Sequence, residues 1–174
     1  MLTPYKLVEL FYEDPSKCGD FTETQASDLP AEYRSLLDHD DHMTVTVEAL
    51  HDSLVDVEVL HAREDADYYS RKILLKRRSD DQVVQFGIVR LTLALLDEDV
   101  RREVAAHRMP LGRIMIKFHV MRHVKLESLW RVTPGVDLCR HFSSDKPTFG
   151  RTAWIHVNNQ PAVELLEIVA PIES

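Results

Sequence analysis

The feature that most constrains the fold is the C-terminal run of residues 148–171, TFGRTAWIHVNNQPAVELLEIVAP. Two apolar, β-prone segments flank a turn-type cluster at residues 158–161, a pattern typical of a β-hairpin. Alternation along the second segment places Glu164 on one face and Glu167 on the other, each among apolar neighbours. Because a carboxylate is costly to bury alone, we expect each glutamate to be paired with a cation or used in chemistry.

The composition narrows the class of protein. The chain has 174 residues, of which 44% are hydrophobic, and this is enough for one globular domain with a core. A formal net charge of -8 argues against nonspecific nucleic-acid binding, so an anionic small ligand would need locally concentrated arginines. No signal peptide or apolar run of ~20 residues is visible, which predicts a soluble cytoplasmic protein without a membrane partner. We expect a monomer or a homodimer.

The hydropathy pattern predicts the order of secondary-structure elements. Strands are predicted over residues 54–60, 68–75, 83–93 and 119–132, and the C-terminal hairpin adds two. Helices are predicted over residues 31–38, 96–107, 111–118 and 136–142, while residues 44–50 fit either a strand or a short helix. Without a regular βαβ alternation, the pattern predicts an α+β domain with a single antiparallel β-sheet of about six strands. We expect residues 29–174 to form this domain and residues 1–28 to be a loosely ordered arm.

Several chemistries find no support in the sequence. Two cysteines, Cys18 and Cys139, occur without a CxxC motif, and the nine histidines include no HExxH motif. No GxSxG elbow marks a nucleophile, and five glycines form no phosphate-binding loop. The sequence therefore predicts a protein that needs no metal and no cofactor.

A buried arginine is the strongest remaining candidate. Alternation within residues 68–75 places Arg71 on the same face as Tyr69 and Ile73, which predicts that it points inward. A core-facing arginine needs an anion. Two alternatives stay open at this point: an ion pair with Glu164 or Glu167, and the carboxylate of a ligand.

Four segments carry a resemblance to a known family. They are residues 36–44 (LLDHDDHMT), 68–75 (YYSRKILL), 109–115 (MPLGRIM) and 149–171. In their order and spacing the chain resembles the chorismate pyruvate-lyase superfamily, most closely its short stand-alone branch, which includes the mycobacterial-type chorismate lyases. The resemblance implies an antiparallel sheet with helices packed on one side and helical flaps over a buried ligand pocket. It also implies elimination of pyruvate from chorismate to give 4-hydroxybenzoate, without a cofactor.

The resemblance assigns roles to individual residues. Arg71 would hold the carboxylate of the aromatic ring, and Leu111 would line the ring pocket. Glu167 would meet the ring hydroxyl and serve as an acid or base, while the backbone of Met43 would touch the same end of the ligand. Chorismate is a dianion and a second cation is therefore expected. The candidates for it are Arg90, Arg113 and Arg151.

The same fold also implies an alternative to catalysis. It occurs as the ligand-binding half of GntR-type transcription regulators, so a non-catalytic binding or sensor protein for an aromatic carboxylic acid is the competing interpretation. A lyase that acts on a relative of chorismate is a further alternative. In each case the expected partner is a small molecule, chorismate or a related aromatic acid, and not a nucleic acid.

Overall fold

A single sheet of seven strands forms the centre of the protein, which a computed structural model describes over residues 1–173. The strands are β1 (Gly19–Thr24), β2 (Val55–Glu64), β3 (Tyr68–Arg77), β4 (Val83–Thr92), β5 (Arg122–Pro134), β6 (Thr148–Val157) and β7 (Gln160–Val169). Their order in the sheet is β1-β5-β6-β7-β4-β3-β2, and all neighbouring strands are antiparallel. The predicted α+β class with one antiparallel sheet is confirmed.

Within the described residues, six α-helices cover the sheet. They are α1 (Pro4–Val8), α2 (Ala31–Leu37), α3 (Met43–His51), α4 (Glu98–Ala105), α5 (Leu111–Lys117) and α6 (Val136–Phe142). Helices α2 to α5 pack on one face, where for example Val47 of α3 shares a cluster with Ile73, and Ile114 of α5 shares one with Leu165. Helices α1 and α6 lie on the opposite face. The ambiguous residues 44–50 belong to helix α3.

The C-terminal hairpin closes through two asparagines. Asn158 and Asn159 connect β6 to β7 and have φ angles of 50° and 64°. Positive φ at both central positions is the requirement of a type I′ hairpin turn, and asparagine tolerates that region better than most residues. A bulge between Ile155 and His156 then shifts the register, so that Arg151 lies directly opposite Glu167.

The N-terminal segment differs from the loosely ordered arm expected for residues 1–28. Leu7 and Val8 of α1 are fully buried in a cluster with Phe86 and Ile168 of the sheet. Strand β1 pairs with β5 over six residues and forms one edge of the sheet. The physical reason is that the second face of the sheet is also apolar and must be covered by another part of the chain.

Within residues 1–173, no helix is long and apolar enough to cross a membrane. The same residues contain no group of three or more histidine, cysteine, aspartate or glutamate side chains placed to hold a metal ion.

Candidate functional site

A cavity of about 40 Å³ lies between the sheet and helices α3 and α5. Its floor comes from alternate residues of β3, β4 and β7, because successive side chains of a strand point to opposite faces. Its roof comes from the first turns of α3 and α5. The lining residues are His42, Met43, Thr44, Val57, Arg71, Ile73, Leu75, Gln85, Gly87, Val89, Pro110, Leu111, Gly112, Ile155, Leu165 and Glu167.

Arg71 forms the cationic end of this cavity. The residue is 1% exposed, and its guanidinium donates to the backbone oxygens of Val104 (Nη1, 3.4 Å) and Met109 (Nη2, 3.2 Å). Its Nε is buried without a hydrogen-bond partner, and no carboxylate within residues 1–173 forms a salt bridge with it. Desolvation lowers the pKa of Arg71, and the nearby Tyr69 hydroxyl opposes this change. In the structure, neither Glu164 nor Glu167 therefore forms an ion pair with Arg71.

Glu167 forms the opposite, acidic end and already has a partner. Arg151, which is 0% exposed, donates from Nε to Oε2 of Glu167 at 2.7 Å. The remaining guanidinium nitrogens of Arg151 donate to the backbone oxygens of His39 (2.8 Å) and Asp41 (2.9 Å). Arg151 thus connects the carboxylate in the cavity to the loop that leads into helix α3.

His42 stands beside this connection and lines the roof of the cavity. Its Nε2 accepts a hydrogen bond from Nε of Arg122 at 2.8 Å. Burial lowers the pKa of His42 to about 4, and the positive charges of Arg122 and Arg151 act in the same direction, whereas Asp41 opposes them. A neutral imidazole with an accepting Nε2 is therefore the stable form at neutral pH.

Gln85 and Gly87 of β4 complete the floor between the two ends. Gln85 is 3% exposed, and its Oε1 is buried without a hydrogen-bond partner. Gly87 lies opposite both Ile73 of β3 and Glu167 of β7. The side chain of Ile73 packs against Gly87, since a Cβ there would lie 3.3 Å from Cδ1 of Ile73.

The structure brings together four of the seven predicted site residues. Arg71, Leu111, Glu167 and Met43 all line the cavity, and their roles towards a ligand stay predictions. The three candidates for a second cation do not line it, and each is paired with a carboxylate: Arg90 with Glu164, Arg113 with Glu48, and Arg151 with Glu167.

Twelve of the sixteen lining residues were not among the predicted site residues, and three of these matter for the argument below. They are Gln85, Gly87 and His42. The alternation of β4 could have placed Gln85 and Gly87 on the inner face with Val89. For His42, the only signal was its position next to Met43.

Comparison with known proteins yields likeness in structure only. The sequence matches no protein-family model and no curated protein. One similar solved structure is the ligand-binding domain of a protein described as a GntR-family transcriptional regulator from Bordetella bronchiseptica. Its TM-score is 0.48 and its sequence identity 11%, over 66% of this chain and 85% of that one.

A second similar structure is the possible transcriptional regulator YydK from Bacillus subtilis. Its TM-score is 0.49 and its identity 10%, over 71% of this chain and 64% of that one. Likeness of this size says nothing about the ligand or the activity of the present chain.

Proposed function

We propose that the cavity binds a small aromatic carboxylic acid, with the carboxylate on Arg71 and the far end of the ring at Glu167. The observation that carries this proposal is the guanidinium of Arg71, which is as buried as that of Arg151 yet has no carboxylate partner. An unpaired buried cation is costly to maintain, and a ligand carboxylate would neutralise it. The free Nε would supply one hydrogen bond and an adjacent Nη another, in a bidentate arrangement.

The distance between the two ends suits a single ring. Arg71 lies opposite Val89, and Glu167 lies opposite Gly87 on the other side of β4. The two residues are thus two strands apart, roughly 10 Å, and offset by two residues, roughly 7 Å. Since both residues line the same cavity, we infer that an aromatic acid with a polar group opposite its carboxylate can touch both.

Entry of a ring requires the roof to move. A cavity of about 40 Å³ accepts only a few water molecules, whereas a cavity of about 150 Å³ is known to accept benzene. We therefore infer that the first turns of α3 and α5, which carry Met43 and Leu111, separate when a ligand enters. This movement is the flap opening that the sequence resemblance implies.

The test is calorimetric titration with 4-hydroxybenzoate of the wild-type protein, Arg71→Met and the matched control Arg90→Met. Loss of a buried charge partner costs about 2–5 kcal/mol, so Arg71→Met should weaken binding by about 30-fold or more. Arg90 lies outside the cavity, and its replacement should leave the affinity unchanged. Equal affinity of wild-type protein and Arg71→Met would contradict the proposal.

A lyase acting on chorismate is the second candidate, and the position of Glu167 favours it. In that reaction the ether C–O bond breaks, the ring loses a proton and becomes aromatic, and the released enolpyruvate takes up a proton to give pyruvate. Glu167 lines the end of the cavity where the proposed orientation puts the ring hydroxyl, and a carboxylate at that place suits general acid–base chemistry. We rank binding without catalysis ahead of the lyase because chorismate carries two carboxylates. Within residues 1–173, Arg71 is the one arginine that lines the cavity, and it can neutralise only one of them.

One assay distinguishes the binding function from the lyase function. Purified protein is incubated with chorismate, and 4-hydroxybenzoate and pyruvate are quantified by chromatography, with Glu167→Ala as the control. Equimolar products that are lost in the control support the lyase. Tight binding of 4-hydroxybenzoate without product formation supports a binding or sensor protein.

A further inference from the structure

A second polar group in the cavity, the amide of Gln85, is left unused by the ligand contacts proposed above. Gln85 is 3% exposed and lines the cavity, yet the structure gives its buried Oε1 no partner within residues 1–173. Burial of an amide without hydrogen bonds is unfavourable by roughly 1–3 kcal/mol. Leucine, of similar size, would avoid this cost among neighbours such as Leu75 and Val169.

The sheet register fixes where Gln85 stands relative to the two ends. Gln85 lies opposite Val169 of β7, and Gly87 lies opposite Glu167. Gln85 and Glu167 are therefore diagonal neighbours on one face of an antiparallel pair, with Cβ atoms about 7–8 Å apart. Arg71 lies opposite Val89, on the far side of Gly87 from Gln85. Both polar groups thus occupy the end of the cavity that is remote from the guanidinium.

Glu167 also retains hydrogen-bonding capacity at this end. Arg151 donates its Nε hydrogen to Oε2 of Glu167, and its other nitrogens donate to backbone oxygens of the loop before α3. Oε1 of Glu167 is thus available to a ligand donor. The amide of Gln85 offers donors and an acceptor, so a hydroxyl suits it in either orientation of the amide.

We propose that Gln85 is a specificity-determining residue that recognises a second hydroxyl group, adjacent to the one at Glu167, on the aromatic acid. The preferred ligand class is a 3,4-dihydroxybenzoate-type acid rather than a monohydroxy acid. This inference rests on the proposed function, because it assumes that the ligand carboxylate lies on Arg71. The hydroxyl para to the carboxylate meets Glu167, and the neighbouring hydroxyl meets the Gln85 amide.

The test is calorimetric titration of 3,4-dihydroxybenzoate and 4-hydroxybenzoate into the wild-type protein and Gln85→Leu. One additional hydrogen bond to a buried partner corresponds to a difference in Kd of about tenfold. We expect wild-type protein to bind the dihydroxy acid about tenfold more tightly, and Gln85→Leu to bind the two acids equally.

The outcomes distinguish failure of the inference from failure of the proposed function. Equal affinity of the two acids for wild-type protein overturns the role of Gln85 and leaves the binding function intact. If neither acid binds the wild-type protein, the proposed function fails and the inference fails with it. A dihydroxy preference that persists in Gln85→Leu also overturns the role of Gln85.

Thermal unfolding of the free proteins supplies an independent readout. Because the amide has no intramolecular partner at Oε1, Gln85→Leu should unfold at the same temperature as wild-type protein or a higher one. A lower unfolding temperature would indicate a structural role for the amide and count against the proposal.

Discussion

Arg71 and Arg151 lie on the same face of the sheet and are equally buried, yet their surroundings differ. Arg151 has a carboxylate and two backbone oxygens as partners, whereas Arg71 has two backbone oxygens and an unpartnered Nε. Burial alone therefore does not reveal what an arginine does. The missing anion at Arg71 points to a ligand, while the complete set of partners at Arg151 points to a role within the protein.

The largest expected effect comes from Arg151→Ala, which would leave Glu167 buried without its counter-charge. We expect the free energy of unfolding to fall by about 3–5 kcal/mol, as is typical when one partner of a buried ion pair is removed. Chemical denaturation measures this loss. The double variant Arg151→Met/Glu167→Leu is the control and should recover most of the stability. A loss below about 1 kcal/mol in Arg151→Ala would show that the pair is not the structural element inferred here.

At the other end of the cavity, Arg71→Met should not lower the free energy of unfolding, in contrast to Arg151→Ala. Removing a buried guanidinium that lacks an anion eliminates a desolvation cost, so we expect the free energy of unfolding to stay the same or rise by up to about 3 kcal/mol. Denaturation of the free protein measures this change. A loss of stability comparable to that of Arg151→Ala would place the two arginines in the same structural class.

The stability of the protein should also depend on pH through His42, which lies at the Glu167 end of the cavity. The pKa of this histidine falls from 6.5 to about 4 on folding, so the unfolded chain binds more protons between these values. The stability that neutral His42 provides is complete above about pH 6.5 and is lost as the pH falls through about 4. Between pH 7 and pH 5 the loss should be about 2 kcal/mol.

The control for this prediction is His42→Gln, since many carboxylates also titrate at low pH. The difference in unfolding free energy between wild-type protein and His42→Gln should change by about 2 kcal/mol over that range. Parallel curves for the two proteins would show that His42 is not the group responsible.

The smallest effect is expected for Arg90, whose partner Glu164 points to the opposite face of the sheet. The arginine side chain is 27% exposed, and solvent screening keeps such a pair within about 1 kcal/mol. Arg90→Met should therefore lower the unfolding free energy by less than that amount. A larger loss in denaturation experiments would contradict this expectation and show that solvent does not screen the ion pair effectively.

The strict period of β-strands explains why the inner faces of β3 and β7 could be predicted. Alternation alone placed Arg71 on the inward face of β3 and placed Glu164 and Glu167 on opposite faces of β7, and the sheet follows both assignments. It left open which glutamate shares a face with Arg71, because that depends on the register between the strands. The partner of Glu167 could not be predicted in the same way. A regular hairpin closed by Asn158 and Asn159 would place Arg151 opposite Leu166, on the opposite face. The bulge at Ile155 and His156 moves Arg151 opposite Glu167, and no turn rule specifies that bulge.

The N-terminal segment and Gln85 depended on information that a single sequence lacks. Leu7 and Val8 were visible as an apolar patch, but the sheet face that they cover is assembled from strands distant in the sequence. For Gln85, a glutamine within a predicted strand gives no signal of a binding site by itself. Only the combination of burial, a cavity and an unpartnered Oε1 distinguishes Gln85 from a surface residue.

The strand order also has a consequence for how the chain acquires its structure during synthesis. Strand β7 is the last strand within residues 1–173 but occupies the middle of the sheet, where it joins the β2–β4 meander to β5 and β6. Until β7 emerges, β4 and β6 each expose an unpaired edge, and the meander cannot bond to the rest of the sheet. Formation of the native sheet therefore waits for a long-range pairing event that can begin only after β7 has been synthesised, which is slow and leaves nascent chains prone to aggregation.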